Sequence, residues 1–340
     1  MSINANRLLR HRSVWIGCAM IWIAMAHSGL SFFSPFLSCF QQWGYGGVDI
    51  CLFASGIGCY VSLSKNPDLP QFVKRRLSRL SPTYLCFMAF WLPCQIIWGR
   101  MSLPCVLGNL FGIQQLTGLP GSFNWYISAL LVLYILAPYL KILADLSANR
   151  KTQLLSFAVI SALTIPFWTS GGLIIIAARV PVFFLGMLFA KACQAQAVLR
   201  LPHILLSVAG LLLGIAGLYY AQLFCQELLW SHGLYWYPFL LIAPNFCILA
   251  SLAAEALDRF SPGRRILGVL SKIGTYSFEI YLCHIPFYEA LSPAISARTF
   301  PIPKNVVWLC TVPAVVLMCV LLRHITTFCT KHLFRPHTPS

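Results

Sequence analysis

His27 and Asp49 are the residues of this chain best placed to move a proton. Both lie in strongly apolar stretches, where a titratable group is costly to keep and is a functional candidate by default. His27 follows Val14 by 13 residues, about 20 Å of helix at ~1.5 Å per residue. Asp49 opens the next apolar run, which returns from the same side, so the two groups sit at similar depth. A carboxylate beside an imidazole orients the ring and stabilises its cation, which is what a general base needs. The same position also suits a histidine bonded only to a backbone carbonyl near the headgroups.

Three further groups of residues have chemistry-bearing spacing. In QFVKRRLSR, Gln71 to Arg79, the residues Arg76 and Arg79 are three apart and share a helix face, where they can grip one polyanion. Lys74 and Arg75 read instead as anchors to lipid phosphate. Ser277, Tyr281, His284 and Tyr288 fall at i, i+4, i+7 and i+11, lining one helical face with hydroxyls and an imidazole. Glu279 and Glu289 lie off that stripe. Arg179 sits within an apolar run and needs a carboxylate or a substrate anion as partner. The chain has no phosphate loop, no G-x-S-x-G elbow and no H-E-x-x-H or other metal spacing, so no metal is expected.

The elements that must hold these residues are transmembrane helices. Of 340 residues 59% are hydrophobic and 9% charged, against about 25% charged in soluble domains. Apolar runs recur at Val14–Leu30, Gly47–Leu63, Thr83–Trp98, Trp125–Leu143, Thr152–Trp168, Ile174–Lys191, His203–Leu223, Trp236–Ala254, Thr275–Leu291 and Val306–Leu322. Each is near the ~20 residues that cross ~30 Å of hydrocarbon. The expected architecture is therefore all-α, a polytopic helix bundle of about ten spans. It forms a single domain over 1–340, with no soluble domain and no cleaved leader. Pro93, Pro138, Pro166, Pro244 and Pro313 fall inside spans, where neighbouring helices can satisfy the freed backbone groups.

Charge sets the orientation. Twenty of the 24 Lys and Arg fall in the terminal segments and alternate connections, including Arg7, Arg10, Arg12, the Lys65 to Arg79 group and the Arg259 to Lys272 group. The other connections hold only Arg100, Arg298 and Lys304, and Arg179 remains within a span. The positive-inside rule then places both termini in the cytoplasm. It also accounts for the net charge of +16 without nucleic acid as a partner. The 14 cysteines show no C-x-x-C pair and read as small apolar packing residues.

At these residues the chain resembles the membrane-bound acyltransferase-3 family. WIGCAMIWIAMAHS is similar to the family's opening helix and its proposed catalytic histidine, at His27. GGVDICLFASGIG resembles the second helix, with Asp49. FVKRRLSRLSPTYL resembles the entry to the third, with Arg76, Arg79, Pro82 and Tyr84. IGTYSFEIYLCHIPF resembles a late helix, with Ser277, Tyr281, His284 and Pro286, and RVPVFFLGML is a weaker echo containing Arg179 and Gly186. The resemblance implies an O-acyltransferase of the plasma membrane, of the bacterial inner-membrane type. Acetyl-CoA or another short acyl-CoA would be its donor, and a cell-envelope polysaccharide, lipid-linked glycan or glycolipid its acceptor. His27 and Asp49 would be catalytic, Arg76 and Arg79 would bind the donor, and Arg179, Ser277, Tyr281 and His284 would bind substrate. Direct general-base transfer and a covalent acyl-histidine both fit. The family often carries a cation eleven positions before its histidine; here that position is Ile16, with Arg12 one turn earlier.

A second function class fits the same charge map. In a transporter or flippase for an envelope glycan or small substrate, His27, Asp49 and Arg179 would form an intramembrane polar pathway.

Overall fold

The structure, a computed structural model, describes residues 2–97, 99, 101–118, 124–168, 170–297 and 303–333. Its main helices are α1 (Arg12–His27), α2 (Gly47–Lys65), α3 (Leu69–Ile97), α4 (Trp125–Leu146), α5 (Arg150–Ala162), α6 (Val180–Gln194), α7 (Leu201–Phe224), α8 (Phe239–Leu257), α9 (Ser261–Thr275), α10 (Ser277–Ala297) and α11 (Lys304–Leu333). One short antiparallel ribbon, β1 (Ser2–Asn4) with β2 (Val198–Arg200), ties the N-terminal segment to the start of α7. Trp98, Arg100, Arg298 and Arg335 lie outside the described residues.

Seven segments of the described residues are long and apolar enough to cross a membrane by length and composition. They are Pro35–Lys65, Leu69–Ile97, Trp125–Leu146, Leu173–Gln194, Leu201–Phe224, Phe239–Leu257 and Asn305–His332. The other three expected spans are helical as well. However, α1 has 16 residues and α5 has 13, and α10 carries Glu279, His284 and Glu289 among its 21. The α5 segment stops early because Pro166 turns the chain into a single 3-10 turn at Ile165–Phe167. Its start is well defined: Asn149 accepts from the Thr152 amide at 3.0 Å and the Thr152 hydroxyl accepts from the Asn149 amide at 3.1 Å, a capping box.

The centre of the bundle is the α2–α6 pair. Gly56 and Gly186 face each other's helices so closely that a Cβ on either would overlap a backbone carbonyl, of Phe183 or of Phe53. Small residues at such crossings let helices pack backbone to backbone, which is how membrane helices gain van der Waals contact. Around this pair Phe53, Phe183, Phe184, Leu133 and Met187 form the core. Lys191, at the end of an expected span, donates to the carbonyls of Ala144 (2.7 Å) and Ser147 (3.0 Å) and closes the C-terminal end of α4.

The basic connection after the eighth expected span contains a helix, α9. Its Gly263, Leu267 and Gly274 are buried while Arg264, Arg265, Ile266 and Val269 are exposed, an amphipathic pattern. Gly274 packs on the backbone of Ser13 and Gly17 on that of Leu270, so α9 lies tightly along α1. Trp15 adds a 2.7 Å hydrogen bond to Ser251 of α8. The helix that carries His27 is thus clamped from two sides.

Candidate functional site

One face of α1 organises the site. Arg12, Ile16, Met20, Ile23 and His27 recur at i, i+4, i+8, i+11 and i+15, so they stack along a single stripe. The first four line a cavity of about 470 Å³. His27, one turn beyond Ile23, caps that line.

The His27 ring is oriented by its own helix. Nδ1 lies 2.9 Å from the Ile23 carbonyl, which can only accept, so Nδ1 carries the proton and Nε2 holds the free lone pair. His284 repeats the arrangement, with Nδ1 donating to the Ile280 carbonyl at 2.6 Å. The two imidazoles meet edge to face with centroids 5.1 Å apart, the His284 ring fully buried and the His27 residue exposed. The His284 Nε2 is buried without a hydrogen-bond partner among the described residues.

Asp49 is not the partner of His27, contrary to the pairing expected from depth. It faces Arg179, Oδ2 to Nη2 at 3.7 Å, and both side chains are 1% exposed. Arg179 also donates from Nη1 to the Ile175 carbonyl at 2.8 Å and lies over the rings of Trp125 and Trp236, at 4.5 and 5.2 Å from the centroids. Its position follows from local sequence: Pro181 interrupts the run Ile174–Lys191, leaving Arg179 at the cap between Leu173–Ala177 and α6. Equal depth did not decide adjacency, because a buried guanidinium needs the carboxylate more than a neutral imidazole does. The proposed pathway of His27, Asp49 and Arg179 is therefore divided into an imidazole pair and a separate ion pair.

Arg76 and Arg79 do share a site, and Arg12 joins them. Arg76 donates to the Gly58 carbonyl at 2.5 Å, and its guanidinium sits over Phe72 and Tyr134, at 5.3 and 5.8 Å. A Cβ on Gly58 would stand 3.3 Å from Arg12 Nη1 and 3.6 Å from Arg76 Nη1, so the missing side chain is where the two guanidinium groups converge. All three arginines line both the inner cavity and a second one of about 540 Å³ that reaches Lys65, Asn66 and Arg75. Arg12, one turn before Ile16, thus supplies a cation to both cavities.

Of the remaining expected residues, Ser277 and Tyr281 line the inner cavity, with Tyr281 packed on Tyr126 at 5.1 Å. His284 lies beside His27, and the stripe continues through Tyr288, whose ring is 6.1 Å from that of His284. Arg179 lies outside both of these cavities. Sequence reasoning missed Tyr126, Tyr134, Glu279 and Arg323, which also line the inner cavity. By spacing Glu279 lies off the stripe, and by position Arg323 is only one of the terminal basic residues. Among the described residues no group of three or more His, Cys, Asp or Glu is placed to hold a metal ion.

No curated protein and no solved structure matches the chain. The profile of the acyltransferase-3 family, described as an acyltransferase domain, matches residues 17–324, from the middle of α1 to the far half of α11. That span includes His27, the Arg76–Arg79 entry and the whole of α10, all in the order set out above. The chain therefore belongs to the acyltransferase-3 family and is a multi-pass membrane acyltransferase.

Proposed function

We propose that the protein transfers a short acyl group, acetyl foremost, from cytoplasmic acyl-CoA to a hydroxyl of an extracytoplasmic or lipid-linked sugar. The observation that carries this reading is the single line on α1 from Arg12 to His27. A polybasic cluster stands at one end, a cavity lies along the middle, and an imidazole with a free nitrogen caps the other end. Arg12 and His27 are 15 residues apart, about 22 Å along the helix axis.

In the proposed reaction the donor phosphates sit at Arg12, Arg76 and Arg79, where guanidinium forks match phosphate geometry. The pantetheine arm runs along Ile16, Met20 and Ile23 and brings the thioester towards His27. The acceptor hydroxyl comes from the opposite side. His27 Nε2 takes its proton as the hydroxyl oxygen bonds to the carbonyl carbon. The resulting tetrahedral centre collapses by breaking the C–S bond, and the imidazolium returns the proton to the departing thiolate. His284 packs against the reacting ring and holds its plane. The Asp49–Arg179 pair fixes α2 against the start of α6 and acts on the site through the backbone.

The topology that serves this reaction has ten crossings, with α1, α5 and α10 completing the seven long spans, and both termini in the cytoplasm. The basic residues around the Arg76 cavity support that side as the donor side. One domain, 1–340, would carry the whole activity at the plasma membrane. The test is transfer from labelled acetyl-CoA by the purified protein in lipid nanodiscs, with a membrane glycan extract as acceptor. Label retained in acetyl-CoA under conditions where the protein is folded and binds CoA would sink the proposal.

A further inference from the structure

Glu279 and Arg323 form an ion pair inside the donor cavity that neither membrane anchoring nor the arginine cluster explains. Arg323 Nε donates to Oε1 of Glu279 at 2.9 Å and Nη2 to Oε2 at 3.3 Å. Nη2 also donates to the Thr275 carbonyl, and the guanidinium lies over the Tyr276 ring, 3.7 Å from its centroid. Glu279 is buried, and both residues line the inner cavity together with Arg12, Arg76 and Arg79. Glu279 is the only carboxylate on that wall among the described residues.

A guanidinium has five N–H donors in a rigid fork. Three of those of Arg323 are committed along one edge, and stacking on Tyr276 holds the plane. The two on Nη1 have no protein acceptor among the described residues, on a side chain that is one-third exposed into the cavity (34%). A carboxylate that pins one edge of an arginine and leaves the other free prepares that arginine for a second oxyanion.

The order of the cavities indicates which one. From the mouth inward the chain presents Lys65 and Arg75, then Arg12, Arg76 and Arg79, and then Tyr281 and Ile23. Arg323 stands at the level of Arg12, since Gly274, beside its Thr275 acceptor, packs on Ser13. Acyl-CoA has the matching order of adenosine 3′-phosphate, diphosphate, pantetheine and thioester. We propose that Arg323 is a fourth donor-phosphate ligand, binding the diphosphate of acyl-CoA together with Arg12, Arg76 and Arg79, and that Glu279 is its positioning residue. This rests on the donor reading of the cavity, and it adds the last helix, α11, to the donor site.

The experiment is a titration of CoA and of 3′-dephospho-CoA into the purified protein in nanodiscs. It compares the parent with Arg323→Ala, Arg323→Lys, Glu279→Gln and Arg76→Ala. Arg323→Ala weakens both ligands by the same factor, about 10- to 100-fold, the range for losing a charge-assisted bond. Arg323→Lys recovers only part, because an ammonium cannot present a fork. Glu279→Gln loses less than Arg323→Ala, since the ligand itself remains. Binding of both compounds by Arg323→Ala within about twofold of the parent would overturn the proposal and leave the pair as a clasp between α10 and α11. A loss confined to CoA would overturn the diphosphate assignment in favour of the 3′-phosphate. If Arg323→Ala does not insert, Arg323→Lys carries the same comparison. Unchanged binding by Arg76→Ala as well, or no CoA binding by the parent, would defeat the donor reading itself.

Discussion

His27 on α1 and His284 on α10 stand edge to face, 5.1 Å between ring centroids, each with Nδ1 bonded to the carbonyl four residues earlier in its own helix. Two helices far apart in sequence thereby present two imidazoles in the same tautomer, with both Nε2 atoms kept off the backbone. One of these residues is exposed and the other fully buried, which fits the proposed division of roles, His27 towards substrate and His284 behind it.

His27→Ala and His27→Gln are expected to abolish acyl transfer while insertion and CoA binding persist. Losing a positioned general base typically costs ~10²–10⁴-fold in rate. A stably inserted His27→Ala that retains more than about a tenth of the parental rate would contradict the assignment. His284→Ala is expected to slow transfer less, because its Nδ1 stays on the helix and it touches the reaction only through His27.

Arg76→Ala with Arg79→Ala removes two of the three cations shared by the two cavities. The expected loss in CoA binding is about 2–4 kcal/mol, as two charge-assisted phosphate contacts disappear. Titration of CoA into the double variant measures it. Parental affinity would make these arginines membrane anchors and nothing more.

The Asp49–Arg179 pair predicts stability effects that do not follow catalysis. Removing one partner of a buried ion pair strands the other charge and typically costs ~3–5 kcal/mol, whereas replacing both with apolar residues is often near neutral. Asp49→Leu and Arg179→Met should each lower thermal stability in detergent, and the double variant should regain most of it. A double variant no more stable than the worse single one would show that the two charges act separately.

Gly56→Ala and Gly186→Ala push a methyl into a facing carbonyl, an overpacking worth about 1–3 kcal/mol. Gly217→Ala and Gly268→Ala have open space around the added carbon and serve as controls, neutral or slightly stabilising. Thermal unfolding of the four variants reads the contrast directly, and equal melting temperatures would mean that the α2–α6 crossing is looser than described.

Fusions of a cytoplasmic and an exported reporter test the crossing number. Junctions after Arg150, Arg200 and Arg265 should report cytoplasm, and junctions near Cys105 and His232 the outside. Two reversed results among the five would reject ten crossings, since one missed span inverts everything downstream.

Much of this protein was legible in one dimension. Helical membrane character, the long spans and the family follow from apolar run length and from short motifs, because both are properties of contiguous residues. The i, i+4, i+7, i+11 stripe on α10 was equally readable, since a helix converts spacing into a face without help from neighbours. Contacts between helices were not. Depth along two helices can be counted from sequence, but rotation about their axes cannot, so Asp49 was assigned to His27 when its carboxylate turns to Arg179. In sequence Arg323 is one more terminal basic residue, and the packing of α11 beside α10 brings it to Glu279. The basic residues from Arg259 to Lys272 read only as a connection, whereas Ser261–Thr275 is a helix whose Gly274 packs on the backbone of α1. Composition and periodicity determined which residues could do chemistry. Only the packing of one helix against another, where a buried charge seeks its counter-charge over any weaker partner, decided which of them meet.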